Sequence, residues 1–265
     1  MSIPSQNFVI PFENRTPGLV FNLTGNNAIP PRVPRMLGRL VTLDQGVPGT
    51  LDQLKAGGKN LLVGAGFPVM ALSAQSQGDS DNLLGFPCGP EMPLELAFTY
   101  DANAPLAGYI GTDPIPEPLL DAALDAIQAG AILGSENWGW GLGRLTIAGA
   151  TTGQFSTFIP REANLSRFFC YAYDTVAGAF VNNNVVFLEQ FDVAGDDQFA
   201  RSGGAATLDV NLCTDLNTDE DGMRVNIPLT TRDQVVLGFN NTGANQVVVY
   251  AGFLADDYDP MAAQG

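Results

Sequence analysis

The sequence contains no histidine, and this absence excludes more functions than any motif in the chain supports. A serine–histidine–aspartate triad, a cysteine–histidine pair, a histidine-ligated zinc ion and a histidine general base all need the missing side chain. Lysine is nearly absent too, with only Lys55 and Lys59, so Schiff-base and phosphate-binding lysine chemistry has little to use. The composition therefore argues against the common classes of enzyme.

Positive charge is scarce: 12 Lys and Arg stand against 28 Asp and Glu, a net charge of −16. Proteins that bind nucleic acid need a basic surface, so we expect no direct nucleic-acid binding. Charged residues make up only 15% of the chain, against about 25% in an ordinary soluble domain. We therefore expect other copies of the chain to cover much of the surface.

Long apolar runs and export signals are also missing. No run reaches the roughly 18 apolar residues of a membrane-spanning helix, and residues 1–7 lack the basic and apolar regions of a signal peptide. We therefore expect a protein that is made and used without Sec export. Cys88, Cys170 and Cys213 are odd in number and far apart, which predicts reduced, buried thiols.

The chain is rich in the pattern of β-strands, with short β-branched and aromatic runs between turn residues. Met223, Val225 and Ile227 alternate with polar residues, the period of a half-buried strand. The predicted strands are residues 37–43, 94–100, 144–147, 168–173, 185–191, 206–212, 223–229, 234–239 and 246–254.

Helical signals are few. Thr50-Leu-Asp-Gln53 has the form of a capping box and predicts a short helix that ends at Gly57. A longer helix is predicted over residues 118–133, because Pro118 suits the first helical position and Gly134 supplies a stop. We interpret this longer helix as a connector.

Short sequence similarities on the two sides of the connector predict two modules. Leu37-Gly-Arg-Leu40 recurs as Leu142-Gly-Arg-Leu145, and the segments 96–98 and 107–113 resemble 237–239 and 251–257. Matches this short also arise by chance in Gly- and Ala-rich chains. The predicted fold is all-β: two tandem jelly-roll-like β-sandwich modules, 1–117 and 135–265, joined by one helix in 118–134.

The run Trp138-Gly-Trp140-Gly-Leu-Gly143 is similar to a glycine-rich nucleotide loop. A dinucleotide loop, however, follows a strand and opens a helix, whereas these glycines follow the predicted helix and lead into a strand. We therefore predict a buried or subunit-facing aromatic corner, in which the glycines give the indoles room.

Asn217, Asp219 and Asp221 place oxygen ligands at alternate positions before Gly222, like the first half of a calcium loop. An EF-hand that starts at Asn217 fails at its twelfth position, where Pro228 replaces the bidentate glutamate. Two interpretations stay open: a calcium site completed from elsewhere, or a solvated acidic turn. No other metal or cofactor site is predicted.

Paired carboxylates could in principle hydrolyse glycosides. Glu95, Glu189, Asp192 and Asp209 lie in or beside predicted strands, but their spacing shows no pair that meets across a cleft. With 28 acidic residues, chance pairs are expected. The sequence therefore predicts no catalytic residues and no enzyme activity.

The two predicted sandwiches, the helix between them and the closing strands at 234–243 and 246–254 resemble jelly-roll capsid proteins. The resemblance is to the double jelly-roll major capsid proteins of tailless, often membrane-containing bacterial viruses. It implies trimers that tile an icosahedral shell, with other virion proteins and an internal membrane as further partners. It also implies that the N-terminal segment reaches toward a neighbour, and the apolar residues within 1–12 would suit a neighbour's sheet edge.

A second hypothesis is a virion spike, a fibre or a carbohydrate-binding β-sandwich stabilised by calcium. Such a protein would display aromatic platforms, with Trp138, Trp140 and Tyr258 as candidates, beside the 215–221 loop.

Overall fold

A computed structural model describes residues 8–14, 21–23, 35–42, 48–56, 59–60, 62–72, 86–88, 94–100, 106–114, 137–199, 207–214 and 222–256. Every regular element in these ranges is a β-strand or a short 3-10 helix. The all-β class predicted from the strand patterns is therefore confirmed.

The described residues of the first half form ten strands and one 3-10 helix, at Val69–Leu72. The strands are β1 (Phe8–Asn14), β2 (Phe21–Leu23), β3 (Arg35–Thr42), β4 (Gly49–Ala56), β5 (Lys59–Asn60), β6 (Leu62–Gly64), β7 (Phe67–Pro68), β8 (Phe86–Cys88), β9 (Leu94–Tyr100) and β10 (Leu106–Pro114).

In the part of the second half that the structure describes there are also ten strands, with a 3-10 helix at Val210–Leu212. The strands are β11 (Asn137–Ile147), β12 (Thr151–Phe158), β13 (Ala163–Asp174), β14 (Ala179–Phe180), β15 (Val186–Val193), β16 (Asp196–Asp197), β17 (Leu208–Asp209), β18 (Met223–Leu229), β19 (Gln234–Asn241) and β20 (Val247–Asp256).

The two halves share one strand order. The first half has sheets β1-β10-β3-β8 and β2-β9-β4-β5, and the second has β11-β20-β13, with β18 beside β13, and β12-β19-β15-β16. If the eight principal strands of each half are numbered in chain order, both halves have sheets of order 1-8-3-6 and 2-7-4-5. Eight strands in two sheets with Greek-key connections form a jelly roll. The chain thus consists of two tandem jelly-roll-like sandwiches.

The core of the second sandwich is aromatic at its centre. The Phe253 ring lies 4.9 Å from the Phe168 ring and 5.7 Å from Trp140, and Phe191 lies 5.8 Å from Phe168. On β19, the buried side chains alternate with half-buried ones, as the period of a strand requires. Burial of these large rings between the two sheets supplies most of the hydrophobic stabilisation of this half.

Most predicted strands coincide with observed ones. The predictions for 94–100 and 223–229 match β9 and β18 at both ends. Residues 206–212 are the exception, because only β17 is a strand and Val210–Leu212 turns into a 3-10 helix. Asp209 caps this helix, and its carboxylate accepts a hydrogen bond from Asn211 N.

The short helix predicted from the capping box at Thr50 is wrong, because the segment is strand β4. It pairs with β9 on one side and with β5 and β7 on the other. A bulge between Leu51 and Gln53 lets both Leu51 and Leu54 be buried. Burial in the sheet therefore overrides a local preference that is worth only about 1 kcal/mol.

The predicted connector helix and both predicted module boundaries, within residues 115–136, lie outside the described residues. Of the short sequence similarities between the two modules, two join equivalent strands and one does not. Residues 96–98 and 237–239 lie on equivalent strands, β9 and β19, and residues 107–113 and 251–256 lie on β10 and β20. Residues 37–40 and 142–145 lie on β3 and β11, which are not equivalent, so this match is a coincidence.

The N-terminal apolar residues take a different partner from the one predicted. They form β1, which pairs with β10 of the same chain from Phe8 opposite Thr112 to Asn14 opposite Leu106. The segment therefore completes its own sandwich, since β10 would otherwise present an unpaired edge.

Candidate assembly surfaces

The predicted calcium ligands Asn217, Asp219 and Asp221 lie outside the described residues. Within the ranges that the structure describes, no three His, Cys, Asp or Glu side chains are grouped so that they could hold a metal ion. Gly222, the first described residue after this segment, takes a positive φ of 76° directly before β18, a conformation that glycine adopts readily.

The carboxylates considered for catalysis are used in local structure. Glu189 accepts a hydrogen bond from Asn240 Nδ2 at 2.8 Å, and Asp192 accepts one from Gln190 Nε2 at 2.5 Å. Asp209 accepts from the backbone N–H groups of Asn184 and Asn211. Glu95 lies on β9. These hydrogen bonds fix the side chains to neighbouring strands and loops.

The two halves of the chain meet at a row of glycines. Trp140 and Phe253 belong to the interior of the second sandwich, so the alternate residues Gly139, Gly141 and Gly252 face outward on β11 and β20. Residues 62–72 of the first half, here called the docking segment, lie against them. Within this segment, β6 pairs in parallel with β11.

Only glycine fits these outward positions. A Cβ on Gly141 would lie 2.1 Å from the carbonyl carbon and oxygen of Gly66, which are backbone atoms that no rotamer change can move. A Cβ on Gly252 would lie 2.8 Å from Pro68 Cδ. The close approach allows two backbone hydrogen bonds, from Ala65 N to Gly141 O at 2.9 Å and from Gly143 N to Gly66 O at 3.0 Å.

We call Gly139, Gly141, Gly143 and Gly252 the glycine seam. From the sequence, the glycines of this run are predicted to give the indoles room. Trp140 is buried as predicted, but it stacks on Phe253 inside the sandwich. The glycines make room for the docking segment on the opposite face, so that part of the prediction is wrong. The role of the glycines is not visible in the local sequence, because the docking segment that they contact is about 75 residues away along the chain.

The docking segment is also anchored to the first sandwich. Its strand β7 pairs with β4, which places Phe67 opposite Leu51. The carboxylate of Asp52 accepts hydrogen bonds from Thr50 Oγ1 and Thr99 Oγ1, both at 2.7 Å. Gly66 packs against this group with a φ of 119°, a conformation that other residues rarely adopt.

Phe67 is the largest side chain of the docking segment, and it is fully buried. Its ring meets Phe169 edge-on, with centroids 5.8 Å apart, and its atoms fill the space over Gly139 and Gly252. Around this contact the outward side chains of β13 and β20 are apolar or aromatic and are buried: Phe169, Tyr171, Val248, Tyr250 and Leu254. We call this outer surface of β11, β13 and β20 the seam face.

The opposite outer surface of the second sandwich, on β12, β15 and β19, is mostly polar, although it includes the half-buried Phe187 and Val236, and is here called the open face. Gln234 Nε2 donates to Ser156 Oγ at 2.9 Å, and Asn240 Nδ2 donates to Glu189 Oε1 at 2.8 Å across neighbouring strands. On β12, the outward residues are exposed at every second position. Phe158, at the end of β12, is 58% exposed.

One end of the second sandwich is held together by hydrogen bonds between loops. Asn241 is fully buried, and its Nδ2 donates to Ala148 O at 3.1 Å and to Asn245 O at 2.8 Å. Its Oδ1 accepts from Gly243 N at 3.0 Å. Because Ala148 follows β11 and Asn241 ends β19, this side chain ties the two sheets together.

Asp174 orders the next loop at the same end. Its carboxylate accepts hydrogen bonds from Val176 N, Ala177 N and Asn245 Nδ2, each at 2.8 Å. The hydrogen bonds from Ala177 and Asn245 lower the pKa of Asp174 below its usual value. These hydrogen bonds thus favour the charged form of the carboxylate, which is only partly buried.

Cys170 and Cys213 are buried free thiols in the core of the second sandwich. Burial raises the pKa of both, that of Cys213 to about 12 and that of Cys170 well above its usual value. Since the thiolate is the reactive form, these cysteines are inert side chains in this fold.

Among the described residues, no helix is long and apolar enough to cross a membrane. No protein-family model matches the sequence, and no curated protein matches it. Among solved structures, the chain is similar to the major capsid protein (MCP) of STIV, with 9% identity over 98% of each chain and a TM-score of 0.40. At this identity and TM-score, the similarity assigns no function to the chain.

Proposed function

We propose that this chain is a viral structural protein: a major capsid subunit that self-assembles through homotrimers into an icosahedral shell. The observation that carries the proposal is the repeated strand order, 1-8-3-6 and 2-7-4-5, in both halves of one chain. Jelly rolls of this kind recur in viral capsid proteins. They also occur in lectins and cupins, so the proposal needs support from the surfaces as well.

The glycine seam supports a rigid two-sandwich subunit. The docking segment is paired with β4 of the first sandwich and with β11 of the second, so one segment belongs to a sheet of each half. Three such subunits around a three-fold axis would present six similar sandwiches, and a nearly hexagonal tile of this kind covers a surface efficiently.

The composition supports self-association without enzymatic function. The chain has no histidine and few lysines, and the carboxylates considered above serve local hydrogen bonds. We propose that the protein acts in the virion of a bacterial virus after assembly in the host cytoplasm, with other virion proteins as neighbours. Contact with an internal membrane belongs to the same proposal, and neither calcium nor another cofactor is required for assembly.

Mass photometry and electron microscopy of the purified full-length chain test this proposal. We expect trimers at low protein concentration, and sheets or closed shells as concentration or ionic strength rises. The subunits carry a net charge of −16, so added salt should promote their association by screening repulsion. A chain that stays monomeric throughout these conditions contradicts the proposal.

Size-exclusion chromatography with and without calcium separates the capsid from the spike or lectin hypothesis. A capsid subunit should elute as the same oligomer in both buffers. A small oligomer that forms only with calcium and binds glycans would favour the carbohydrate-binding alternative.

A further inference from the structure

Strand β12 lies at the end of its sheet and is paired on one side only. It runs antiparallel to β19 without a register shift, from Thr151 opposite Asn241 to Phe158 opposite Gln234. Ile159 N, the next residue, donates to Asp233 O of the β19 side at 3.3 Å. Because hydrogen-bonding direction alternates along a strand, the odd-numbered residues point their backbone groups toward β19.

The backbone N–H and C=O groups of Thr152, Gln154, Ser156 and Phe158 therefore point away from β19, toward the free edge. The side chains at these same four positions are exposed. The free edge of β12 is thus eight residues long and accessible to solvent. Among the described residues, no strand lies beside it to pair with these backbone groups.

Other described edge strands carry features that discourage pairing with a further strand. β1 contains Pro11, and β18 contains Pro228 and Arg224. β16 is only two residues long, and both are aspartates. Short length, proline and charge are the usual means by which proteins protect a sheet edge.

β12 has none of these features. Its sequence, Thr-Thr-Gly-Gln-Phe-Ser-Thr-Phe, contains no proline and no charged residue, although the whole chain carries a net charge of −16. It ends in Phe158, one of three large apolar side chains that are exposed in the described part of the chain. An edge of this kind is suited to pairing with another strand.

We propose that β12 is an assembly edge that pairs antiparallel with β12 of a second copy of this chain. The inference rests on the proposed self-association and names one of its interfaces. Two uncharged strands can lie side by side without like charges directly opposite each other, which would be destabilising. A symmetric antiparallel pair also closes on itself, so it joins two subunits and does not grow into a fibre.

One register satisfies the geometry of both strands best. It places Thr152 of one copy opposite Phe158 of the other, and Gln154 opposite Ser156. All four residues have their hydrogen-bonding groups at the free edge, so this pairing uses every one of them. The same register places each exposed Phe158 ring beside a threonine at the two ends of the interface, where it loses contact with water.

Hydrogen–deuterium exchange of the wild-type protein, before and after assembly, tests the proposal directly. In assembled particles, we expect the amides of Thr152, Gln154, Ser156 and Phe158 to exchange at least about tenfold more slowly than in dissociated subunits. The odd-numbered amides, which already pair with β19, should change much less. Equal exchange of the four edge amides in particles and in subunits overturns the proposal while leaving the capsid function intact.

A pair of variants provides the second measurement. Gln154→Pro removes an N–H that points away from β19, so the fold should survive, but the interface loses a donor. Gln154→Ala removes the same side chain and keeps the N–H. We expect Gln154→Pro to raise the protein concentration needed for assembly at least about tenfold relative to Gln154→Ala, with similar unfolding temperatures for the two variants.

Equal assembly of these two variants contradicts the inference. Slow exchange of the β12 edge amides that occurs only after another virion protein is added contradicts it too. In that case the strand paired with β12 would belong to the other protein. A wild-type chain that never assembles removes both this inference and the proposed function.

Discussion

The two outer faces of the second sandwich differ in almost every property that decides what a surface can contact. The seam face has glycines at its centre and buried aromatic side chains around them, and the docking segment lies on it. The open face has amide, hydroxyl and carboxylate groups that form hydrogen bonds across neighbouring strands, and it has no docking segment on it among the described residues. Both faces belong to the same jelly roll.

The difference shows that topology alone does not assign a partner to a surface. Each strand alternates between the sandwich interior and its outer face, so the outward residues can vary without affecting the core. On β11 and β20, these residues permit backbone-to-backbone approach and make the face internal to the chain. On β12, they stay polar and exposed, so this side is left for other molecules.

Removal of the Phe67 ring, which packs over the glycine seam, should lower the stability of the folded chain most. Phe67→Ala should lower the free energy of unfolding by about 3–5 kcal/mol, because it leaves a cavity between the halves. Phe158→Ala, a matched change on exposed β12, should alter the stability of the isolated subunit by less than about 0.5 kcal/mol. Urea unfolding measures both, and similar losses in the two variants would mean that the faces do not differ as described.

A methyl group in the glycine seam should have the next largest effect. Gly141→Ala places Cβ against the backbone of Gly66 and should destabilise the protein by about 2–3 kcal/mol. Gly238→Ala is the control on the open face, where the nearest atom is a side-chain carbon of Gln190 at 2.9 Å. A β-carbon moves only with its own strand, but this contact is longer than the 2.1 Å approach of Gly141 to the backbone of Gly66, so we expect a smaller loss of about 1–2 kcal/mol. Thermal unfolding of both variants tests whether close approach is confined to the seam.

Asn241 links the two sheets of the second sandwich, one of which carries the seam face and the other the open face. Asn241→Ala removes a fully buried side chain together with its three hydrogen bonds, to Ala148 O, Asn245 O and Gly243 N, and should cost about 2 kcal/mol. Asn240→Ala, one residue earlier on the open face, should cost about 0.5 kcal/mol. Its single side-chain bond, to Glu189, is only partly buried. Equal losses, measured by denaturant unfolding, would contradict the assignment of Asn241 as the link.

The smallest expected effect depends on pH. Because the pKa of Asp174 is lowered in the folded chain, its charge contributes stability above its usual pKa of about 4. That contribution is lost as the pH falls through the lowered value. Asp174→Ala should therefore cost about 1 kcal/mol or less at pH 7, and the difference from wild type should shrink below pH 4. A difference that grows toward acid would reverse the assigned sign.

Much of the fold follows from local sequence pattern. Alternation in Met223–Leu229 and the apolar run Leu94–Tyr100 predict β18 and β9 correctly at both ends, because each strand is bounded by turn residues. The strand pair at the end of each half was also recognised as a repeat, since β9 and β10 correspond to β19 and β20. These signals are short-range and therefore visible in the sequence.

The surfaces are harder to predict, because they depend on segments that are distant in sequence. Gly141 is explained by the close approach of Gly66 and Phe67, which belong to the other half of the chain. Strand β12 was absent from the predicted strands, since Gly153 and Thr157 make its inward face weakly apolar. Its threonines and the alternation of Gly153, Phe155 and Thr157 are the signal that could have identified it.

Cryo-electron microscopy of the assembled wild-type protein tests the central claim most directly, since it shows which faces lie within a chain and which lie between chains. We predict a particle in which the docking segment occupies the glycine seam of its own chain and β12 edges meet between neighbouring copies. A particle in which the docking segment crosses into the seam of a neighbour, or in which every β12 edge stays in solvent, would contradict the account.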